Sequence, residues 1–146
     1  MHNKKGFTLI EMLAVIAIIA VLIAIVIPTV SSTTTKAEAA VDAANLRSVM
    51  GQLNGVLAGS DKMSAAEAQN LQASDCTMFP GAKMLVVYQD PGFIDAYYML
   101  NGQYYGLEYF SAIAQHGANG ADGISTAKPT GTGFEWYEAG VGAFTE

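Results

Sequence analysis

Hydrophobic positions follow three different rhythms along this chain, and each predicts a different kind of element. From Phe7 to Val30 (FTLIEMLAVIAIIAVLIAIVIPTV) they are nearly continuous, and Met12–Ile27 contains no polar side chain. That run of 24 residues, rising ~1.5 Å per residue as a helix, reaches about 36 Å, enough to cross a hydrocarbon layer of about 30 Å with some tilt. From Lys36 to Leu57 the pattern becomes periodic. Ala39, Ala43, Leu46, Met50, Leu53 and Leu57 recur at spacings of three and four, which makes one apolar stripe on an amphipathic helix. Gly51, Gly55 and Gly59 weaken its end, so it is expected to stop near Ala58. Between the two stretches, Pro28 removes a backbone donor and crowds the preceding turn, which predicts a kink or local break. Weak helix formers, Thr29–Thr35, follow it.

In the remaining chain the rhythm changes again. Ser64-Ala65-Ala66-Glu67 has the spacing of a capping box and predicts a short helix through about Ala73. Met84–Gln89 (MLVVYQ) reads as a buried strand stopped by Asp90-Pro91-Gly92. Ile94–Leu100 and Gln103–Tyr105 flank Asn101-Gly102, the best hairpin signal in the chain. Leu107–His116 fits a helix ended by Gly117, or a hairpin strand that runs on through Phe110. Gly117–Gly133 reads as a loop with little to bury, Phe134–Glu138 as the last strand, and the tail through Glu146 as mobile. The fold class expected is α+β, one long N-terminal helix against a small antiparallel sheet.

Charge sharpens the reading of the first thirty residues. Lys4 and Lys5 precede the apolar run and the next base is Lys36, an asymmetry that keeps the N-terminus in the cytoplasm and sends the rest outward. A cleaved secretory signal has an apolar region of about 7–15 residues and a small-residue cleavage site. Here the run is longer, and Pro28–Thr35 offers no such site. A plain membrane anchor accounts for everything except Glu11, the one charge between Lys5 and Lys36. A lone carboxylate in hydrocarbon costs several kcal/mol unless paired or protonated, and such groups are functional-site candidates. Within the run, nothing is expected to compensate it.

Lys4-Lys5-Gly6-Phe7-Thr8-Leu9-Ile10-Glu11, followed by an unbroken apolar helix, resembles the class III leader and N-terminus of type IV pilins and pseudopilins. The likeness implies that residues 1–6 are a leader removed by a prepilin peptidase, which cuts between Gly6 and Phe7 and methylates Phe7. It implies an assembly helix over residues 7–30 and an exported head over residues 31–146. Glu11 would meet the N-terminal amine of a neighbouring subunit, and Pro28 would mark where the helix partly unwinds on assembly. The partners implied are further copies in a homo-oligomeric filament, other pilins, an inner-membrane assembly platform, and the membrane itself before assembly. A minor pilin or secretion pseudopilin shares all these features, while an unpolymerised membrane-anchored binding protein is the rival from another class. The family pattern breaks at the cysteines: one, Cys76, cannot close the C-terminal disulfide loop of many pilins.

Composition narrows the chemistry. The formal charge is −6, and loss of the leader's two lysines would bring it to −8, so nucleic acid is not expected as a partner. His2 and His116 are far apart in sequence, Asn119 and Asp122 match no calcium-loop spacing, and Gly131-Thr132-Gly133 lacks a phosphate loop's length and lysine. No catalytic residue, metal site or cofactor is assigned, and the chain is not expected to be an enzyme. Cys76 is expected to be a small half-buried hydrophobe and not a bridge between chains. The aromatics from Tyr88 to Tyr137 are expected to fill the core and pair across strands.

Overall fold

The computed structural model describes residues 6–60 and 62–145; Met1–Lys5, Asp61 and Glu146 lie outside them. Two compact units divide the chain, Met1–Thr34 and Thr35–Glu146, and the first helix, α1 (Leu9–Gly59), contributes to both.

In the first unit every described residue is exposed. Phe7 and Leu9 are more than four-fifths exposed, and Ile16, Val21, Ile25 and Ile27 more than three-fifths. Side chains this apolar gain roughly 1.5–3 kcal/mol each on burial, so the segment is built for a non-aqueous surrounding. It is a helix long and apolar enough to cross a membrane. Pro28 lies inside α1, so of the kink or local break expected there the break is absent. Proline removes only one donor, and the helix continues past it, while hydroxyls on the adjoining turns bond back to carbonyls one turn earlier, a pattern that slightly weakens and bends helices. Thr29 Oγ1 donates to the Ile25 carbonyl (3.3 Å), Thr33 Oγ1 to Thr29 (3.0 Å) and Thr34 Oγ1 to Val30 (3.0 Å).

In the second unit α1 turns one stripe inward. Ala39, Asp42, Ala43, Leu46, Val49 and Leu53 are buried, and Met50 and Leu57 pack against them. The short helix α2 (Ala65–Gln69) starts at the expected capping box: Glu67 N–H donates to Ser64 Oγ at 3.3 Å and Ser64 N–H to Glu67 Oε2 at 2.8 Å. It ends at Asn70, short of the expected Ala73. Then come β1 (Lys83–Gln89), β2 (Phe93–Leu100), β3 (Gln103–Gly106), α3 (Leu107–His116), a 3-10 turn (Ala118–Ala121), β4 (Glu135–Glu138) and β5 (Gly142–Ala143).

The sheet is antiparallel throughout, in the order β3-β2-β1-β4-β5. Asn101 (φ 52°) and Gly102 (φ 77°) both sit in the left-handed region, the primed turn that matches strand twist in a two-residue hairpin. Alternation along β1 puts Met84, Val86 and Tyr88 in the core with α1, while Leu85 and Val87, also fully buried, point to the opposite face. The segment after α3 runs beside the free edge of β3, where Tyr104 N–H donates to the Thr126 carbonyl (2.9 Å), and reaches that face at Gln89, whose Nε2 donates to Thr132 (2.6 Å). This loop was expected to bury little; instead it contains the 3-10 turn, with Ala121 in the core.

The tail also departs from expectation. Glu135–Glu138 is not the last strand, because β5 follows and pairs with it. Gly142 (φ 114°) allows the approach, since a Cβ there would lie 2.9 Å from the Ala65 carbonyl oxygen. Gly140 N–H donates to the Ala68 carbonyl at 2.9 Å. A side chain in place of Gly142 would separate β5 from α2.

Candidate assembly helix and its N-terminal motif

Gly6, Phe7 and Thr8 precede α1 outside regular structure and are exposed, so the Gly6–Phe7 peptide bond is not covered by folded chain. Thr8 occupies the N-cap position and Glu11 the third helical position. Glu11 N–H donates to Thr8 Oγ1 at 3.3 Å, and Thr8 N–H donates to Glu11 Oε2 at 2.8 Å. This is a second capping box, with the spacing of Ser64–Glu67, at the mouth of the apolar helix. It corrects the expectation that nothing within the run can compensate Glu11. Thr8 supplies a backbone donor, and the helix N-terminus, with its partial positive charge, favours a carboxylate in its first turn. The signal was legible, since Thr8-Leu9-Ile10-Glu11 has the S/T-x-x-E pattern. A carboxylate offers about four acceptor sites, so one N–H leaves room for a cation as well.

In the head, sequence reasoning missed Asp42. This aspartate falls within the apolar stripe and is fully buried. Its Oδ1 accepts from Thr77 N–H at 2.7 Å, and Oδ2 accepts from Met78 N–H at 2.9 Å and from the Cys76 thiol at 3.3 Å. The carboxylate thus holds the 76–78 segment to α1. Cys76 is buried, more fully than the half-burial expected. Its thiol is pushed up to about 12, first by burial and then by the neighbouring Asp42 charge. A thiol so held is a poor nucleophile at neutral pH.

The aromatics form two groups. Phe79 stacks on Tyr105 at 4.3 Å between centroids, and Phe110 meets Tyr98 edge-on at 5.8 Å on the α1 side. On the opposite face Tyr104 packs edge-on against Trp136 at 5.3 Å, with Tyr97 5.8 Å from the same ring. Burial raises the phenol of Tyr98, whose hydroxyl donates to the Ser74 carbonyl at 2.8 Å. Burial and then the Asp95 carboxylate raise that of Tyr97. Among the described residues no group of three His, Cys, Asp or Glu side chains could hold a metal ion.

Residues 1–27 match the family model of the prokaryotic N-terminal methylation motif. No curated protein and no solved structure matches the chain. The motif, a long apolar N-terminal helix, and a head in which a helix packs on a small antiparallel sheet are consistent with a type IV pilin-like fold. Together they support a pilin-like structural subunit with a membrane-anchored N-terminal helix.

Proposed function

We propose that this chain is a filament subunit of the type IV pilus class, cleaved between Gly6 and Phe7 and methylated at Phe7. The observation that carries the reading is the stretch of helix over residues 9–27, exposed along its length and apolar apart from one carboxylate near its start. An apolar helix that no part of its own chain covers is covered by lipid before assembly, and by neighbouring helices after it. Cleavage creates a cationic amine at Phe7 that the precursor lacks. In the filament that amine meets Glu11 of an adjacent copy, whose carboxylate keeps its Thr8 hydrogen bond and has acceptor sites to spare. The pair adds little net stability, because desolvation offsets most of the attraction. It acts on register: a subunit docked at the wrong height leaves two unpaired buried charges, costing on the order of 3–5 kcal/mol. Pro28 and its run of threonines form the stretch where the helix loosens on assembly. The partners are the prepilin peptidase, an inner-membrane assembly platform and further pilins, and the destination is the cell surface.

Intact-mass spectrometry of filaments sheared from cells tests this. A dominant species beginning at methylated Phe7 is expected. Processed protein confined to the membrane, or present in filaments at trace level, would assign the chain to the minor pilins or pseudopilins. A chain still carrying Met1–Gly6 would overturn the reading. Glu11→Ala is expected to lower filament yield while leaving membrane insertion and the head fold intact, and an unchanged yield would remove the register mechanism.

A further inference from the structure

Between α3 and the segment that follows it, the head carries an open cleft of about 710 Å³, whose walls include Asp95, Tyr97, Glu108, Tyr109, Ser125 and Lys128. This volume lies in the range of pockets that take small organic ligands, roughly 300–1,000 Å³. One wall is fixed in advance. Tyr97 Oη donates to Asp95 Oδ2 at 2.5 Å, and Ala96 N–H donates to Asp95 Oδ1 at 2.8 Å. The Tyr97 ring lies against Gly106, where a Cβ would come within 2.8 Å of its Cε1. Trp136 and Tyr104 back the same ring. The facing wall belongs to a loop anchored at Tyr104 N–H to Thr126 and carrying Lys128 over the Trp136 ring, 5.7 Å from its centroid. A ligand therefore enters a site whose side chains are already ordered, which lowers the entropic cost of binding.

The charges select the occupant. An anion would meet Asp95 and Glu108 on a chain of net −6, and for a cation Lys128 offsets part of the attraction while both Asp95 oxygens already accept hydrogen bonds. A neutral ligand rich in hydroxyls avoids both penalties. It donates to the carboxylates, accepts from Lys128, Ser125 and the phenol of Tyr109, and lays its C–H groups on the tyrosine rings. We propose that this cleft is a binding site for a neutral oligosaccharide. The site lies wholly within the Thr35–Glu146 unit and does not depend on polymerisation. As one such subunit repeats along a filament, weak single-site affinity would become avidity for a surface that carries many copies of the glycan.

The test uses the full chain in a zwitterionic detergent without a sugar headgroup. Saturation-transfer NMR is run with maltotriose, chitotriose, lactose and mannotriose, and with inorganic phosphate and spermine as charged probes. At least one saccharide is expected to bind saturably and not be displaced by phosphate or spermine. Ala127→Trp places an indole in the cleft from an exposed position and is expected to weaken that binding about tenfold or more. Ser125→Trp repeats the obstruction from a second exposed position, and unchanged thermal unfolding of either variant separates blocking from misfolding. Absence of binding by every saccharide would overturn the proposal. So would binding that survives both tryptophans, or phosphate or spermine binding that the tryptophans abolish in place of saccharide binding.

Discussion

Replacing Asp42 probes how a buried charge can hold a loop in a head that has no disulfide. In Asp42→Ala two backbone donors, Thr77 and Met78 N–H, lose an ionised acceptor at 2.7 and 2.9 Å. Hydrogen bonds to a charged group contribute about 1.5–3 kcal/mol each. At the lower end the pair amounts to about 3 kcal/mol. The Cys76 thiol, a weak donor at 3.3 Å, adds little, and relief of the buried carboxylate's desolvation argues against the upper end. For a domain of about a hundred residues, 3 kcal/mol lowers Tm by roughly 12 °C or more. Asp42→Asn keeps one acceptor oxygen but turns its amide NH2, itself a donor, towards the other backbone N–H, so it should lose about as much as Asp42→Ala. Near-UV circular dichroism is the suitable assay, because every tyrosine and the tryptophan lie between Tyr88 and Tyr137 and report on the head alone. If both variants melt within about 0.5 kcal/mol of the parent, comparable to an ordinary surface change, the clamp contributes nothing and the reasoning fails.

Cys76 in the folded chain should react with thiol reagents far more slowly at neutral pH than it does after denaturation; equal rates would show that the thiol is not held as described. Alkaline titration should destabilise the head. Folding holds the phenols of Tyr97, Tyr98 and Tyr137 above the ordinary 10.0, with Tyr137 at about 12 from burial and then Glu135. From about pH 10 to 12 the unfolded chain therefore releases protons that the folded one keeps, and stability falls as pH rises. A flat denaturant midpoint over that range, set against a control below pH 10, would contradict it. Gly142→Ala forces a Cβ towards the Ala65 carbonyl at a φ that L-residues rarely adopt. It should cost at least about 1–2 kcal/mol and raise amide exchange first in β4, β5 and α2; unchanged exchange there would show that β5 is not pinned.

Elements governed by local rules were legible. The apolar run and the stripe from Ala39 to Leu57 became α1, Asn101-Gly102 made its hairpin, and the two-way reading of Leu107–His116 resolved as helix with Gly117 at its end. What stayed hidden depended on partners distant in sequence. Asp42 falls at helical spacing from Ala39 and Leu46, yet an acid there suggests a solvated position. Its burial depends on donors 35 and 36 residues away. Gly142–Ala143 has no intrinsic preference for strand, and becomes one because β4 offers an edge and α2 a surface close enough for glycine alone. The cleft likewise joins α3 to a Gly/Ala/Thr-rich segment with no apolar pattern to reveal which face it covers. At the N-terminus the motif spoke for itself, except that Glu11 was read as a charge and not also as the far end of a cap.

The sheet order has a consequence for when the head can form during synthesis. β1, β2 and β3 are a local meander that can pair as soon as they emerge, each strand meeting its immediate predecessor. β4 then returns to the far side of β1, crossing α3 and the cleft loop, and β5 reaches back to α2, some seventy residues earlier. Pairings of such separation form late, because the loop they close must be ordered before they contribute. Until residues 135–143 are available, β1 has one open edge and the inner face of α1 is only partly covered. The interval before β4 docks is when a ribosome-bound chain is most open to pairing with the wrong strand.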